Sequence, residues 1–299
     1  MNESKSVLIT GAGSGFGRLT AETLLDRGHF VVATMCDPTG ADSAAAVALA
    51  DRAEGRSGTV HVVRLDVSDD ESVERGVADA LERAGRLDVV INNAGVSLSG
   101  LAESVTADEM RRIFEVNVFG VQRVNRAVLP GMRAAGSGVL LHVSSTFGRF
   151  VVPYVAPYTA SKWALEALVE SYAQELAGTG VAAVLIEPGA FPTGHAEKIA
   201  SPADEERAGT YGGLELRADQ MFGDFVEQLE SVAPDPSMVA TLLANLAEAD
   251  PGNLELRYVV DPVSGGEAVE SLNELARRER AAFFEALGIA RSAPPLPGE

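Results

Sequence analysis

Tyrosine and lysine stand four residues apart in Tyr158-Thr159-Ala160-Ser161-Lys162. On a helix that spacing puts both side chains on one face, so the ammonium can sit close to the phenol. A free phenol ionises near ~10 and is a poor base at neutral pH. One positive charge ~4 Å away, at an effective dielectric of ~20, favours the phenolate by ~4 kcal/mol, about three pKa units. Tyr158 would then be a usable general acid or base. Such pairs also occur on ordinary helix surfaces, so position in the chain decides what this one means. Upstream, Val143-Ser144-Ser145 closes an apolar run, and Ser145 could donate a hydrogen bond where negative charge develops on a substrate oxygen. A serine there can equally satisfy the strand-to-loop turn, a task for which Ser144 is the candidate.

A second feature is Thr10-Gly11-Ala12-Gly13-Ser14-Gly15-Phe16-Gly17, directly after the apolar run Val7–Thr10. Glycines allow a turn with positive φ and let backbone approach a pyrophosphate at a helix N-terminus. The strict G-x-G-x-x-G order is not met, because Phe16 occupies the last position. The order met is G-x-x-x-G-x-G, through Gly11, Gly15 and Gly17. A third feature is Asn117, which falls among Met110, Ile113, Phe114, Val121, Val124 and Val128 on an apolar helical stripe. A buried amide needs specific hydrogen-bond partners, so Asn117 is either a polar pin in the core or an anchor for a water linked to Lys162.

The elements that must hold these residues alternate regularly. Apolar runs at Val7–Thr10, Phe30–Thr34, Val60–Leu65, Leu87–Asn92, Val139–Val143, Val181–Ile186 and Arg257–Val260 read as strands. Helical patterns near 16–27, 41–53, 69–84, 107–134, 158–178 and 236–248 separate them, and 267–287 follows. The alternation predicts an α/β fold, a doubly wound, Rossmann-like parallel sheet of about seven strands with helices on both faces. Ligands should bind beyond the carboxyl ends of the strands. No linker is visible, so 1–299 reads as one domain. Residues 188–235 interrupt the alternation with prolines, glycines and a candidate amphipathic helix bearing Leu214, Met221, Phe222, Phe225 and Leu229. Such an insertion predicts a substrate lid. The Pro-rich end, 292–299, is expected to be disordered.

Several ordered motifs together make the chain resemble the short-chain dehydrogenase/reductase family over nearly its full length. They are Thr10–Gly17, Asp66-Val67, Asn92-Asn93-Ala94-Gly95, Asn117, Ser145, Tyr158-x-x-x-Lys162 and Pro188-Gly189-x-x-x-Thr193. The resemblance implies Tyr158 as general acid/base, Ser145 as stabiliser of the substrate oxygen, and Lys162 as pKa modulator and ribose contact. It implies that Asn117 holds a proton-relay water and that Thr193 contacts the nicotinamide carboxamide. Asp66 and Val67 would border the adenine, Asn93 would support the central strands, and Gly11, Ser14, Gly15, Phe16, Gly17, Ala94, Gly95, Pro188 and Gly189 would line the cofactor. Members are commonly homodimers or homotetramers packed through the helices corresponding to 107–134 and 158–178.

The stretch Val32–Pro38 is similar to the branch with hydroxysteroid and retinol dehydrogenases and bacterial relatives. That branch usually carries Arg, for the 2′-phosphate of NADP, where Cys36 stands. NAD-preferring members usually carry Asp where Met35 stands. Ser14 also replaces the basic residue of NADP-binding turns. The cofactor is therefore NAD or NADP, and Asp37 without a basic neighbour tilts the reading towards NAD.

Other chemistries find little support. The chain has no G-x-S-x-G elbow, no Lys after the glycine turn and no H-E-x-x-H, which argues against a serine hydrolase, a P-loop nucleotidase and a metalloprotease. His29 and His142 read as structural; His195, in the lid, is a solvated loop residue or a substrate contact. One cysteine, Cys36, excludes an intrachain disulfide or a thiolate cluster, and no metal is expected. A net charge of −19 argues against nucleic acid. No apolar run approaches the ~18 residues of a membrane span. The polar start Met1–Ser6 predicts a cytoplasmic chain.

The expected function is thus NAD(P)-dependent hydride transfer between nicotinamide and a secondary alcohol or ketone. Phe147, Tyr154, Phe191 and Phe222 are the expected substrate contacts, and their composition points to an apolar substrate. A silent cofactor-binding sensor would tend to lose members of the Asn/Ser/Tyr/Lys set, and all four are present. A lyase or epimerase using the cofactor transiently would show turnover without net redox change.

Overall fold

The computed structural model describes residues 3–193 and 199–289. Its seven strands are β1 (Ser6–Ile9), β2 (Phe30–Met35), β3 (Thr59–Arg64), β4 (Val89–Asn92), β5 (Gly138–Val143), β6 (Val181–Pro188) and β7 (Arg257–Val260). They form one parallel sheet in the order β3-β2-β1-β4-β5-β6-β7. The order reverses between β1 and β4, so a crevice opens there beyond the strand ends. Val7, Leu8, Ile9, Val90, Ile91, Leu140, Leu141 and Val184–Ile186 are wholly buried. Strands covered on both faces must be apolar throughout, which is why these runs do not alternate with polar residues.

The helices are α1 (Gly15–Asp26), α2 (Ser43–Ala53), α3 (Asp70–Ala84), α4 (Ala107–Phe114), α5 (Val121–Ala135), α6 (Ala156–Glu175), α7 (Glu205–Gly209), α8 (Glu215–Val232), α9 (Ser237–Glu248) and α10 (Glu267–Ala286). One face of the sheet, through Val7, Ile9 and Val184, packs on Leu24 and Leu25 of α1 and Val239 and Leu243 of α9. The other, through Leu8, Val90 and Leu185, packs on Val73 and Val77 of α3, Val124 and Val128 of α5, and Leu165 and Val169 of α6. Local signals set the helix ends: Asp69 caps α3 through the Ser72 N–H, and Thr106 with Glu109 forms a capping box on α4. Among the described residues no helix is long and apolar enough to cross a membrane.

Three features depart from the sequence reading. The stretch expected as one helix, 107–134, is broken by a wide π turn, Glu115–Gly120, that carries Asn117. The extra residue lets Asn117 point inward while the apolar stripe resumes on α5. Gly120 fits the same place because a Cβ there would lie 2.9 Å from Val67. The amphipathic lid helix exists as α8, but of its five apolar residues only Leu229 is buried; Leu214 and Phe225 are exposed.

The third feature is that the insertion is clasped to the loop after β4. Leu98 pairs with Ala200, Ser99 N donates to the Ala200 carbonyl (2.9 Å), and Ala203 N donates to Glu109 Oε1 (2.8 Å). Arg207 Nη1 (3.0 Å) and the Tyr211 hydroxyl both donate to Glu103. His195 and the tail 292–299 lie outside the described residues.

Candidate active site

The glycine turn joins β1 to α1 at the switch point. Gly11 and Gly15 adopt φ of +66° and +55°, which L side chains rarely adopt. A Cβ on Gly17 would stand 2.4 Å from Asn93 Nδ2 and 2.6 Å from the Gly11 carbonyl. The turn is therefore a bare backbone cradle at the N-terminus of α1, with the shape a pyrophosphate requires. Thr193 lies across from it, its Cβ 3.5 Å from where a Cβ on Gly15 would be. Phe16 leaves the turn sideways and packs edge-on against Phe191, centroids 5.5 Å apart. The residues needed to hold a dinucleotide thus fit it.

Asn93 ties β4 to the turn. Its Nδ2 donates to the carbonyls of Thr10 (2.9 Å) and Gly11 (3.1 Å), and Thr10 Oγ1 accepts from Asn93 N and Ala94 N. Behind it runs a buried polar chain. Asn92 Nδ2 donates to Asn125 Oδ1 (2.9 Å), Asn125 Nδ2 to His142 Nε2 (3.1 Å), and His142 Nδ1 to the Val184 carbonyl (3.1 Å). These partners require the neutral Nδ1–H form, and burial holds His142 down to about 4. His142 and His29, which bonds Glu248 at 2.9 Å, sit in structural roles. At the end of β3, Asp66 Oδ1 accepts from Ser68 N and Oγ, fixing the loop that carries Val67. After β6, Gly189 N donates to the Val260 carbonyl (2.9 Å), which sets the course of Pro188–Thr193.

Ser145, Tyr158, Lys162 and Asn117 converge beyond the ends of β4 and β5. Ser145 follows β5, and Tyr158 and Lys162 lie one turn apart near the start of α6. Ser145 Oγ accepts from Phe147 N (3.1 Å) and hydrogen-bonds the Tyr158 phenol. It therefore performs the turn-closing task expected of Ser144, whose buried Oγ has no hydrogen-bond partner among the described residues. Lys162 Nζ donates to the Val143 carbonyl (2.8 Å) and lies 5.6 Å from the Tyr158 ring centroid.

Burial pushes the Tyr158 phenol above its ordinary value, opposed by the bond from Ser145. Burial likewise pushes Lys162 down to about 8, opposed by Glu166 one turn further along α6. The lowered phenol expected from the Tyr/Lys spacing is thus not a property of the protein alone. The ammonium is aimed at Val143, and desolvation acts on both groups.

Asn117 uses its amide fully as a donor. Nδ2 donates to the Val96 carbonyl (2.9 Å) and to Ser161 Oγ (2.9 Å), and Oδ1 accepts from Val96 N (2.9 Å). Ser161 in turn donates to the Tyr158 carbonyl (2.7 Å). The π turn therefore pins both the loop after β4 and the Tyr158–Lys162 turn of α6. Asn117 Oδ1 and Lys162 Nζ lie 3.5 and 3.8 Å from the point a Cβ on Gly95 would occupy. A side chain at position 95 would fill the space they share.

The rim is built from three loops. Tyr154 has φ of +65°, a strained state for a tyrosine, and its carbonyl accepts from Gly100 N (2.7 Å). A Cβ on Gly100 would lie 2.4 Å from Pro202, so glycine permits the contact with the insertion. Phe147 packs edge-on against Tyr158, centroids 6.4 Å apart, and Phe222 lies half-buried beside Phe225. Phe191, expected to face substrate, is instead packed in the core with Phe16. Met35 is buried, and Cys36 is exposed beside Asp37. Sequence reading missed Asp42, which reaches back over Gly13; its only signal is an acidic residue just ahead of α2.

A family model described as short chain dehydrogenase matches residues 5–204. The chain is 35% identical over 248 residues to the oxidoreductase YusZ of Bacillus subtilis, covering 81% of this chain and 84% of that protein. A short-chain dehydrogenase structure from Streptomyces avermitilis superposes with a TM-score of 0.70 at 33% identity, covering 97% of this chain and 99% of that one. The 3-ketoacyl-(acyl-carrier-protein) reductase of Brucella melitensis, solved with NADH, gives a TM-score of 0.71 at 27% identity, covering 87% and 98%.

Proposed function

Because the chain belongs to the short-chain dehydrogenase family of NAD(P)-dependent oxidoreductases, we propose that it interconverts a secondary alcohol and a ketone, with NAD(H) as the preferred cofactor. The observation that carries this reading is the meeting of Ser145, Tyr158, Lys162 and Asn117 beside the glycine turn. Gly11–Gly17, with Thr193 and Lys162 as further contacts, would hold a nicotinamide dinucleotide, which when bound would supply or accept the hydride.

In reduction, Ser145 Oγ donates a hydrogen bond to the carbonyl oxygen as it gains charge, and the Tyr158 phenol gives up its proton to that oxygen. Oxidation reverses the transfer, with Tyr158 as the base. A charged Lys162 offsets the phenolate left behind. Asn117 positions α6 through Ser161, and the space bordered by Asn117 Oδ1, Lys162 Nζ and Gly95 suits a relay water that returns the proton. The neighbour from Brucella is named for a ketone substrate, which agrees with this direction of chemistry.

The substrate in this reading is apolar, held by Phe147, Tyr154 and Phe222 beneath the insertion. The assembly is a homodimer or homotetramer, with exposed Phe119 and Trp163 available for packing. A panel of aliphatic and aryl ketones, assayed with NADH and with NADPH, tests the proposal. Oxidation of cofactor that depends on both ketone and Tyr158 supports it; cofactor binding with no turnover of any ketone overturns it.

A further inference from the structure

The end of β2 lacks both familiar markers of cofactor choice, yet the loop beyond it is tightly organised. Gly40 N (3.2 Å) and Asp42 N (2.9 Å) donate to the Asp37 carbonyl, and Ala41 N donates to Asp37 Oδ2 (3.1 Å). This turn carries Asp42 back towards the glycine turn. Asp42 Oδ2 accepts the Asp37 N–H (3.1 Å), while Oδ1 lies 3.0 Å from the point a Cβ on Gly13 would occupy. Asp42 stands at the N-cap of α2 yet makes no capping hydrogen bond. An N-cap carboxylate ordinarily accepts a hydrogen bond from the first turn of its helix. Here it faces the cofactor cradle instead.

The surroundings are acidic. The Cys36 thiol, only partly covered, is pushed up by that partial burial first and then by Asp66, Asp42 and Asp37, with Arg64 alone acting in the opposite sense. Three carboxylates and one guanidinium therefore act on Cys36, just beyond the end of β2; with a pyrophosphate on Gly11–Gly17 the outer ribose of a dinucleotide would lie towards this strand end. A carboxylate accepts hydrogen bonds from ribose hydroxyls. A 2′-phosphate has no such proton to offer at neutral pH and brings like charge to the same carboxylates.

We propose that Asp42 selects the cofactor: its Oδ1, beside Gly13, receives the 2′-hydroxyl of NAD(H) and, with Asp37 and Asp66, turns away the 2′-phosphate of NADP(H). The assignment rests on the oxidoreductase reading above and adds to it the residue that sets cofactor specificity. Asp42 thus takes a role that neither Met35 nor Cys36 can fill, from a position seven residues beyond the end of β2.

The test is a set of fluorescence titrations of full-length protein with NADH and NADPH, for the natural chain, Asp42→Asn and Asp42→Ala. The natural chain should bind NADH about 100-fold more tightly than NADPH, and both variants should shrink that ratio by ~10-fold or more. A second measurement needs no variant. Raising salt should tighten NADPH binding by the natural chain, because screening weakens like-charge repulsion, and should leave NADH binding nearly unchanged. Preference for NADPH, a ratio unmoved in both folded variants, or NADPH binding that weakens with salt would each overturn the role of Asp42. Failure of the folded natural chain to bind either cofactor would instead sink the oxidoreductase reading itself.

Discussion

Replacing Lys162 by methionine should make the protein more stable at neutral pH while removing its activity. Lys162 is 5% exposed, and burial holds its pKa at about 8 against an ordinary value of 10.5. At ~1.4 kcal/mol per pKa unit, keeping the ammonium charged inside the fold costs about 3 kcal/mol at pH 7. Methionine keeps most of the stem volume and removes that cost, but forfeits the bond to the Val143 carbonyl, worth about 1 kcal/mol. The net expectation is a gain of ~2 kcal/mol at pH 7.

The pH dependence carries its own sign. A folded pKa below the unfolded one means that the unfolded chain binds the extra proton between about pH 8 and 10.5. The natural protein therefore gains stability as pH rises through that window. The advantage of Lys162→Met should shrink above pH 8, be nearly gone by about pH 9.5, and reverse above that as only the lost hydrogen bond remains. Tyr158, whose folded pKa is raised, loses its contribution only above its ordinary value, so measurements up to pH 9.5 avoid it. Glu187, raised by burial and then by Glu166, titrates in both proteins and cancels in the difference. Urea unfolding at pH 7 and 9.5 gives the answer. A variant less stable at pH 7, or a gain unchanged at pH 9.5, would refute the burial argument.

Other expectations follow from the same contacts. Tyr158→Phe should keep NADH affinity within about twofold and lose ~1,000-fold or more in ketone turnover, read in parallel titration and rate assays. Asn117→Ala removes three hydrogen bonds of a 1% exposed amide and should cost ~3 kcal/mol in urea unfolding. Gly17→Ala pushes a methyl into Asn93 and the Gly11 carbonyl, so cofactor binding should fall by more than ~10-fold in any protein that folds. His142, held at about 4, supports the fold above pH 6.5 and withdraws about 3 kcal/mol as pH falls through 4. His142→Gln should flatten that part of the stability profile, and an unchanged acid limb would contradict the buried neutral form.

Residues that act through spacing or backbone freedom were legible in the sequence. The seven apolar runs became the seven strands because a parallel sheet covered on both faces must be apolar at every position. Gly11, Gly15 and Gly17 were readable because no other residue tolerates positive φ or such close approach there. Features that depend on how two distant segments meet were not. The π turn at Glu115–Gly120 preserves apolar spacing and shows only as an asparagine on the stripe. Phe191 looks like a pocket residue by composition, yet its fate was decided by Phe16 across the turn. Ser144 and Ser145 are chemically alike, and the direction of the chain after β5 separated their roles. Asp42 reads as an ordinary helix cap until the loop from Asp37 folds it towards Gly13.

The most direct test of the central claim follows a label rather than a rate. NADH deuterated at C4 would be incubated with the protein and a mixture of ketones, and the alcohols formed examined by mass spectrometry. Hydride transfer at the Ser145/Tyr158 site predicts deuterium on a carbinol carbon, and none when Tyr158→Phe is used. Bound cofactor whose deuterium reaches no alcohol would contradict the account and leave a dinucleotide-binding protein without redox chemistry.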